Sequence, residues 1–235
     1  METEEVLKFI NQLVTQLRAK GAIDVEQYEQ KLKDNAKNIN ILDDLLFEGK
    51  AALLFLNHGF KVTLGDRPDL KMEINDEVVY AEVTHFREKE QDRIDDEAMA
   101  EQARKAQEDE EENILVRVGD TRATEGLAVA EQIARKAINK AEAGQYMADA
   151  PNILLIESSS ESTSLTLSSA AQEYDDMVRK SPDPRLRRLN ALMMVNCGYA
   201  FGNRGPYNTE YCPLTYANVP MSNKLIYALS NIKLG

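Results

Sequence analysis

Positive charge is scarce in this chain. Across 235 residues, 28 lysines and arginines stand against 40 aspartates and glutamates, a formal net charge of −12. Phosphate affinity comes mainly from clustered Lys and Arg, so this balance argues against a surface that grips nucleic acid broadly and leaves room only for a local patch. Cysteine is rarer still: Cys197 and Cys212, with no CxxC pair and no zinc-ligand spacing. Each reads as a buried free thiol, which fits a reducing compartment. No apolar run approaches the roughly 20 residues that span a bilayer. The N-terminal Met1-Glu2-Thr3-Glu4-Glu5 is acidic where an export signal is basic. The expectation is a cytoplasmic protein with no membrane contact. The spaced glycines of Gly198, Gly202 and Gly205 lack the Lys-Ser/Thr of a phosphate loop. Ser158, Ser159 and Ser160 show no nucleophile-elbow pattern and no well-placed histidine, which disfavours serine hydrolysis. No internal repeat is visible.

What remains is an ordinary globular composition, 43% hydrophobic and 29% charged, long enough for one core and a small helical appendage. Val6, Phe9, Ile10, Leu13, Val14 and Leu17 lie on one helical stripe over residues 3–19. Gly21 ends that helix, and Asp24 is positioned to cap a second through about Lys33. Residues 1–40 thus read as a helical hairpin, and residues 41–235 as an α/β core. Ile41 to His58 predicts a helix with Leu45, Leu46, Ala52, Leu53, Phe55 and Leu56 inward, stopped by Asn57-His58-Gly59. Strands follow at Phe60–Leu64, Leu70–Ile74 and Val78–Phe86, the last two joined by a turn at Asn75-Asp76-Glu77. Residues 87–112 hold 12 acidic and 5 basic side chains, a net of −7, so 87–113 reads as an acidic insertion, mainly exposed helix. Ile114–Val118 suggests a short strand, and Glu125–Ala143 an amphipathic helix with Leu127, Ala130, Ile133, Ala134, Ala137, Ile138 and Ala141 inward. Asn152–Ile156 and Leu189–Val195 read as buried strands. Ser158–Ser169 reads as loop or edge, Gly202–Met221 as ordered loop over the sheet, and Ser222–Ile232 as a last helix.

Three acids recur where this layout would bring chain segments together. Glu48 shares a helix face with Ala52 and Phe55, so it points toward the sheet. Asp69 follows Pro68 just before the second strand. Glu82 is mid-strand, on the face of Thr84 and Phe86 and opposite Val83 and His85. A carboxylate inside a buried strand costs several kcal/mol unless it is paired or holds a metal. Neighbouring antiparallel strands lie about 4.8 Å apart, so Asp69 and Glu82 can share one cation. Mg²⁺ suits such a site, with one or two carboxylates, waters and phosphate oxygens around it. His58 reads as a helix-end or surface residue, and His85 faces away from Glu82 and reads as no ligand.

The order helix, strand, Pro68-Asp69, strand, Glu82-Val83-Thr84, helix, strand resembles the PD-(D/E)xK phosphodiesterases, which include many restriction endonucleases, over about Leu42 to Glu157. The resemblance implies a restriction-endonuclease-like mixed sheet flanked by helices, here with the N-terminal hairpin added. It implies Asp69 and Glu82 as ligands of Mg²⁺ (or Mn²⁺) and Glu48 as a further acid. One position departs from the pattern: Thr84 stands where the family has its lysine. Lys140, with Gln145 near the helix end, is the first substitute and Lys136 the second, the two sharing a face at i, i+4; otherwise both are solvent lysines. Arg179, Lys180, Arg185, Arg187 and Arg188 put five basic residues in ten, either a charged turn or a contact for a phosphate backbone. The implied activity is metal-dependent cleavage of DNA, or of RNA, in a defence or mobile-element setting. The alternative is a catalytically degenerate nuclease-like module that binds a partner protein through the hairpin or the acidic segment. The hairpin also offers a surface for a homodimer.

Overall fold

The computed structural model of the chain describes residues 3–86, 121–158, 167–196 and 208–232, with short pieces at 199–200 and 203–204. Three helices come first, α1 (Thr3–Ala19), α2 (Val25–Asp34) and α3 (Ile39–Asn57). In α1 the residues Val6, Ile10, Leu13, Val14 and Leu17 are buried, whereas Phe9, at the edge of that arc, is exposed. Asp24 precedes α2, but its backbone is left-handed (φ 63) and its side chain caps nothing. A capping side chain reaches the first helical amides from extended backbone, so the expected cap fails on geometry. Asn38 does cap α3, accepting from Ile41 N, and starts that helix two residues before the apolar spacing suggests. Gly59, at φ 82, turns the chain out of α3.

A meander follows: β1 (Lys61–Leu64), β2 (Leu70–Ile74) and β3 (Glu77–Phe86). Asn75 and Asp76 take positive φ at 51 and 63, the turn whose twist matches a two-residue hairpin. Helix α4 (Thr121–Glu142) leads to β4 (Asn152–Ser158), helix α5 (Leu167–Lys180) and a 3-10 turn (Pro184–Arg188) to β5 (Leu189–Asn196). Two-residue strands β6 (Tyr199–Ala200) and β7 (Asn203–Arg204) pair with each other, and β8 (Asn208–Pro213) and α6 (Asn223–Ser230) complete the order. The main sheet runs β1-β2-β3-β4-β5-β8. Its β3-β4-β5 centre is parallel, because α4 and α5 carry the chain back across the sheet, and its remaining pairs are antiparallel.

Strand alternation sorts the core into two layers. Ile153 and Leu155 of β4 and Ala191, Met193 and Val195 of β5 face α1–α3 and α6. Leu154, Ile156, Leu192 and Met194 face α4 and α5. The hairpin belongs to the first layer: Ile10, Leu17, Tyr28 and Leu32 share a cluster with Phe55, Val62 and Leu70. Between α1 and α2 the chain also meets the edge of the sheet, Ile23 N donating to Val62 O at 3.0 Å and Leu64 N to Ile23 O at 3.1 Å. Among the described residues, the second layer takes no apolar residue from β1–β3. On the α4 side, β3 presents the buried polar side chains of Glu82 and Thr84.

Two expectations are corrected. The stretch Ser158–Ser169 is not all loop or edge, since Ser158 ends β4 and α5 begins at Leu167. The tail expected as loop contains β8, paired antiparallel with β5. The expected insertion helix at 87–113, the strand Ile114–Val118, the inward side of Leu127, the glycines 198, 202 and 205, and Cys197 lie outside the described residues. Cys212 is free but only half-buried, on β8, where it packs against the second layer. No helix among the described residues is long and apolar enough to cross a membrane.

Candidate active site

Strand β2 ends its pairing with β3 at Leu70↔Ala81, while β3 continues to Phe86. Beyond that point no described strand pairs with the β2 side of β3, and the Asp69 side chain supplies a partner: Val83 N donates to Asp69 Oδ2 at 2.7 Å. The turn before Asp69 is held by Gly65 N donating to Asp69 O at 2.8 Å. Asp69 is thus fixed at both its main chain and its carboxylate. Glu82 lies beside it on β3, 2% exposed, with its side chain on the α4 face.

The cation on that face comes from α4. Lys140 Nζ donates to Glu82 Oε2 at 2.8 Å, with the lysine side chain only 17% exposed. Lys140 is therefore no solvent lysine. The end of α4 is closed around it: Gln145 N donates to Lys140 O at 3.1 Å and Gly144 N to Ala141 O at 3.0 Å. Gln145 thus enters the arrangement through its main chain. Lys136, one turn earlier, donates to the His85 carbonyl. Both lysines point along β3, past Thr84, which is buried and carries no charge.

Glu48 reaches the same region from α3, half-buried on the opposite layer. Burial raises its carboxyl to about 8; the charge of Asp69 and then that of Glu82 push it up, while Lys31 and Lys140 pull it down. Glu82 is raised to about 7, first by burial and then by the charge of Asp69, against Lys140 and Arg67. Burial also raises Asp69, opposed by the Val83 amide and by the charges of Lys140 and Lys31. Three carboxyls from α3, the β1–β2 turn and β3 therefore lie in one electrostatic field, each raised above its ordinary range.

Whether this set suits a divalent ion is decided by one atom. Glu82 Oε1 is buried and has no hydrogen-bond partner among the described residues, and a bare carboxylate oxygen in a low-dielectric site calls for a proton or a cation. Among the described residues, no three His, Cys, Asp or Glu side chains already stand around a common point at ligating range. Mg²⁺ needs only one or two carboxylates, the rest of its shell being water and substrate. The donor set of Asp69 and Glu82 fits that ion.

His85 turns to the other face and is engaged there. Its Nδ1 lies 2.9 Å from Glu157 Oε2, its Nε2 3.0 Å from Asp43 O, and its ring 5.1 Å from that of Phe47. Burial opposes its charge, yet the Glu157 carboxylate, the Asp43 carbonyl and the charge of Asp44 raise its pKa overall. His58 sits at the end of α3 with Nδ1 2.9 Å from Leu54 O.

The basic turn after α5 faces a different task. Arg185 binds the Asp183 carboxylate through Nη2 at 2.6 Å and the Glu142 carbonyl through Nη1 at 2.6 Å. Arg188 Nη1 donates to Tyr146 O at 3.2 Å, and Arg179 pairs with Asp176 at 2.8 Å. Arg185 and Arg188 thus tie down the end of α4 and the loop after it; Lys180 and Arg187 are exposed.

Two cations near the acids were not singled out by sequence. Lys31 on α2 acts on Glu48 and Asp69, and Arg67 acts on Glu82. Arg67 could have been noticed as the residue before Pro68-Asp69. Lys31 had no local signal, because it reaches the site by packing across 34 residues of chain. Searches of family models, curated proteins and solved structures return no match to this chain.

Proposed function

We propose that this chain is a metal-dependent phosphodiesterase acting on nucleic acid, with DNA as its substrate. The observation that carries the reading is the Lys140–Glu82 contact beside Asp69, with Glu82 Oε1 left bare. It has the composition of a PD-(D/E)xK centre, the lysine coming from α4 in place of Thr84 on β3.

Asp69 and Glu82 would hold Mg²⁺ or Mn²⁺, which supplies a more acidic bound water and offsets charge on the phosphate oxygens. Lys140 orients Glu82 and favours its ionised form against the burial that raises it, and its remaining donors are available to a phosphate oxygen. Glu48 would stand beside them as the further acid, able to take up the proton of an attacking water once a bound cation favours its ionised form. Arg67, exposed at the turn before Asp69, stands where an approaching phosphate backbone would pass. The degenerate alternative, a protein-binding module, draws its support from Thr84 and the net charge of −12.

The test is cleavage of plasmid and linear DNA in Mg²⁺ and Mn²⁺. Asp69→Asn and Glu82→Gln should each lower the rate by at least about 10³-fold, and Lys140→Ala by roughly 10²-fold with partial return in Lys140→Arg. A wild-type rate unchanged by chelation, or retained in Asp69→Asn and Glu82→Gln, would contradict the reading.

A further inference from the structure

Helix α2 belongs to the N-terminal hairpin, outside the segment that resembles the nuclease core, yet one of its side chains reaches the turn that carries Asp69. Lys31 Nζ donates to Gly65 O at 2.9 Å and pairs with the Asp66 carboxylate. Gly65 N in turn donates to Asp69 O at 2.8 Å, and Asp69 Oδ2 accepts from Val83 N at 2.7 Å. Two consecutive contacts therefore lead from α2 to Asp69, and a third ties its carboxylate to β3. The turn itself is tight: a Cβ on Gly65 would stand 2.6 Å from Pro68 O, so the chain folds back this closely only with glycine there.

The seat of Lys31 is equally defined. Tyr28, one turn earlier on α2, is buried, with its hydroxyl donating to Leu45 O at 2.5 Å. Gly49 of α3 lies against that hydroxyl, next to Glu48. The Lys31 side chain is 30% exposed, so its ammonium is fixed by its partners without being sealed in.

We propose that Lys31 is a positioning residue of the acid cluster: through the Gly65 carbonyl it sets where the Asp69 carboxylate stands, which makes the N-terminal hairpin part of the site. The inference rests on the reading of Glu48, Asp69 and Glu82 as the reacting centre. A lysine at this place acts twice. It restrains the turn by a charge-assisted hydrogen bond, and it lays positive charge beside Asp69 and Glu48 without touching Glu82.

The experiment uses the full chain and two readouts. The first is hydrogen exchange of the Val83 amide, with the Leu192 amide of buried β5 as reference. In Lys31→Met and Lys31→Gln the Val83 amide should exchange about five- to tenfold faster, the size of one ordinary hydrogen bond, while Leu192 is unchanged. Lys31→Arg should restore protection. The second readout is Mn²⁺ affinity by electron paramagnetic resonance, expected to weaken by roughly tenfold in the neutral variants and to recover in Lys31→Arg. Unchanged Val83 exchange in both neutral variants overturns the inference. So does faster exchange shared equally by Leu192, which would mark simple loss of global stability. Absence of Mn²⁺ binding in the wild type would sink the metal reading instead, and the Val83 exchange would still decide what Lys31 does.

Discussion

A carboxyl held protonated in the folded state makes stability depend on pH in a definite direction. Glu48, at about 8, and Glu82, at about 7, both lie above their ordinary carboxylate range. Their folded-state pKa exceeds the unfolded one, so the native protein binds more protons than the unfolded chain between the two values. The stability they contribute is complete below the unfolded pKa and is lost as pH rises through about 7 to about 8. In metal-free buffer, the wild type should therefore lose melting temperature from pH 6 to pH 8.5. Glu48→Gln, which imitates the protonated carboxyl, should lose less. At pH 5 the two proteins should melt together, and at pH 8.5 the variant should be the more stable by several degrees. A gap that stays constant across this range would contradict the account of Glu48. The site acids were readable in the sequence because each broke a local rule: Glu82 interrupts a buried strand, Glu48 an inward helix face, and Asp69 follows a proline at a strand start. Lys140 was readable only as one of two lysines on a helix face. Its choice over Lys136 depends on where α4 lies against β3, which no local pattern encodes.

The helices and strands owe their positions to periodicity, and the exceptions show what periodicity misses. Helix α5 buries Leu167, Ala170, Ala171, Tyr174 and Val178 at helical spacing, but its first turn is Leu-Ser-Ser, and serine weakens the helix signal while strengthening a loop reading. Strand β8 was hidden by a tail rich in Gly, Pro, Asn and Tyr. It exists because β5 has a free edge, and Asn208–Pro213 pairs there. Asp24 has the residue type of a cap without the backbone conformation for it. In each case tertiary contact overrides the local preference. The packing of α2 on α3 makes a prediction at this scale. Any side chain at Gly49 would strike the Tyr28 hydroxyl and Leu13. Gly49→Ala would gain helix propensity at an interior position, yet it should still destabilise by about 1–3 kcal/mol through overpacking. Denaturant unfolding measures this directly. An unchanged or raised midpoint would mean that α2 is not seated on α3 as described.

At the scale of the molecule, one face of the sheet packs against α1–α3 and α6, and on the other, among the described residues, the apolar contacts of α4 and α5 fall on β4 and β5. The acids gather beside that apolar layer, at the point where β3 outruns β2. A chain with net charge −12 can approach a phosphodiester only where its own carboxylates are neutralised, and Lys31, Arg67 and Lys140 stand around them. A divalent ion would complete that neutralisation, and binding to the native state alone must raise stability, by about 2.7 kcal/mol at a hundredfold excess over the dissociation constant. The decisive measurement is therefore the melting temperature at pH 8 with increasing Mn²⁺, for the wild type and for a chain carrying both Asp69→Asn and Glu82→Gln. The account predicts a saturable rise of several degrees in the wild type and none in the double variant. A wild type indifferent to Mn²⁺, or a double variant that gains as much, would contradict it.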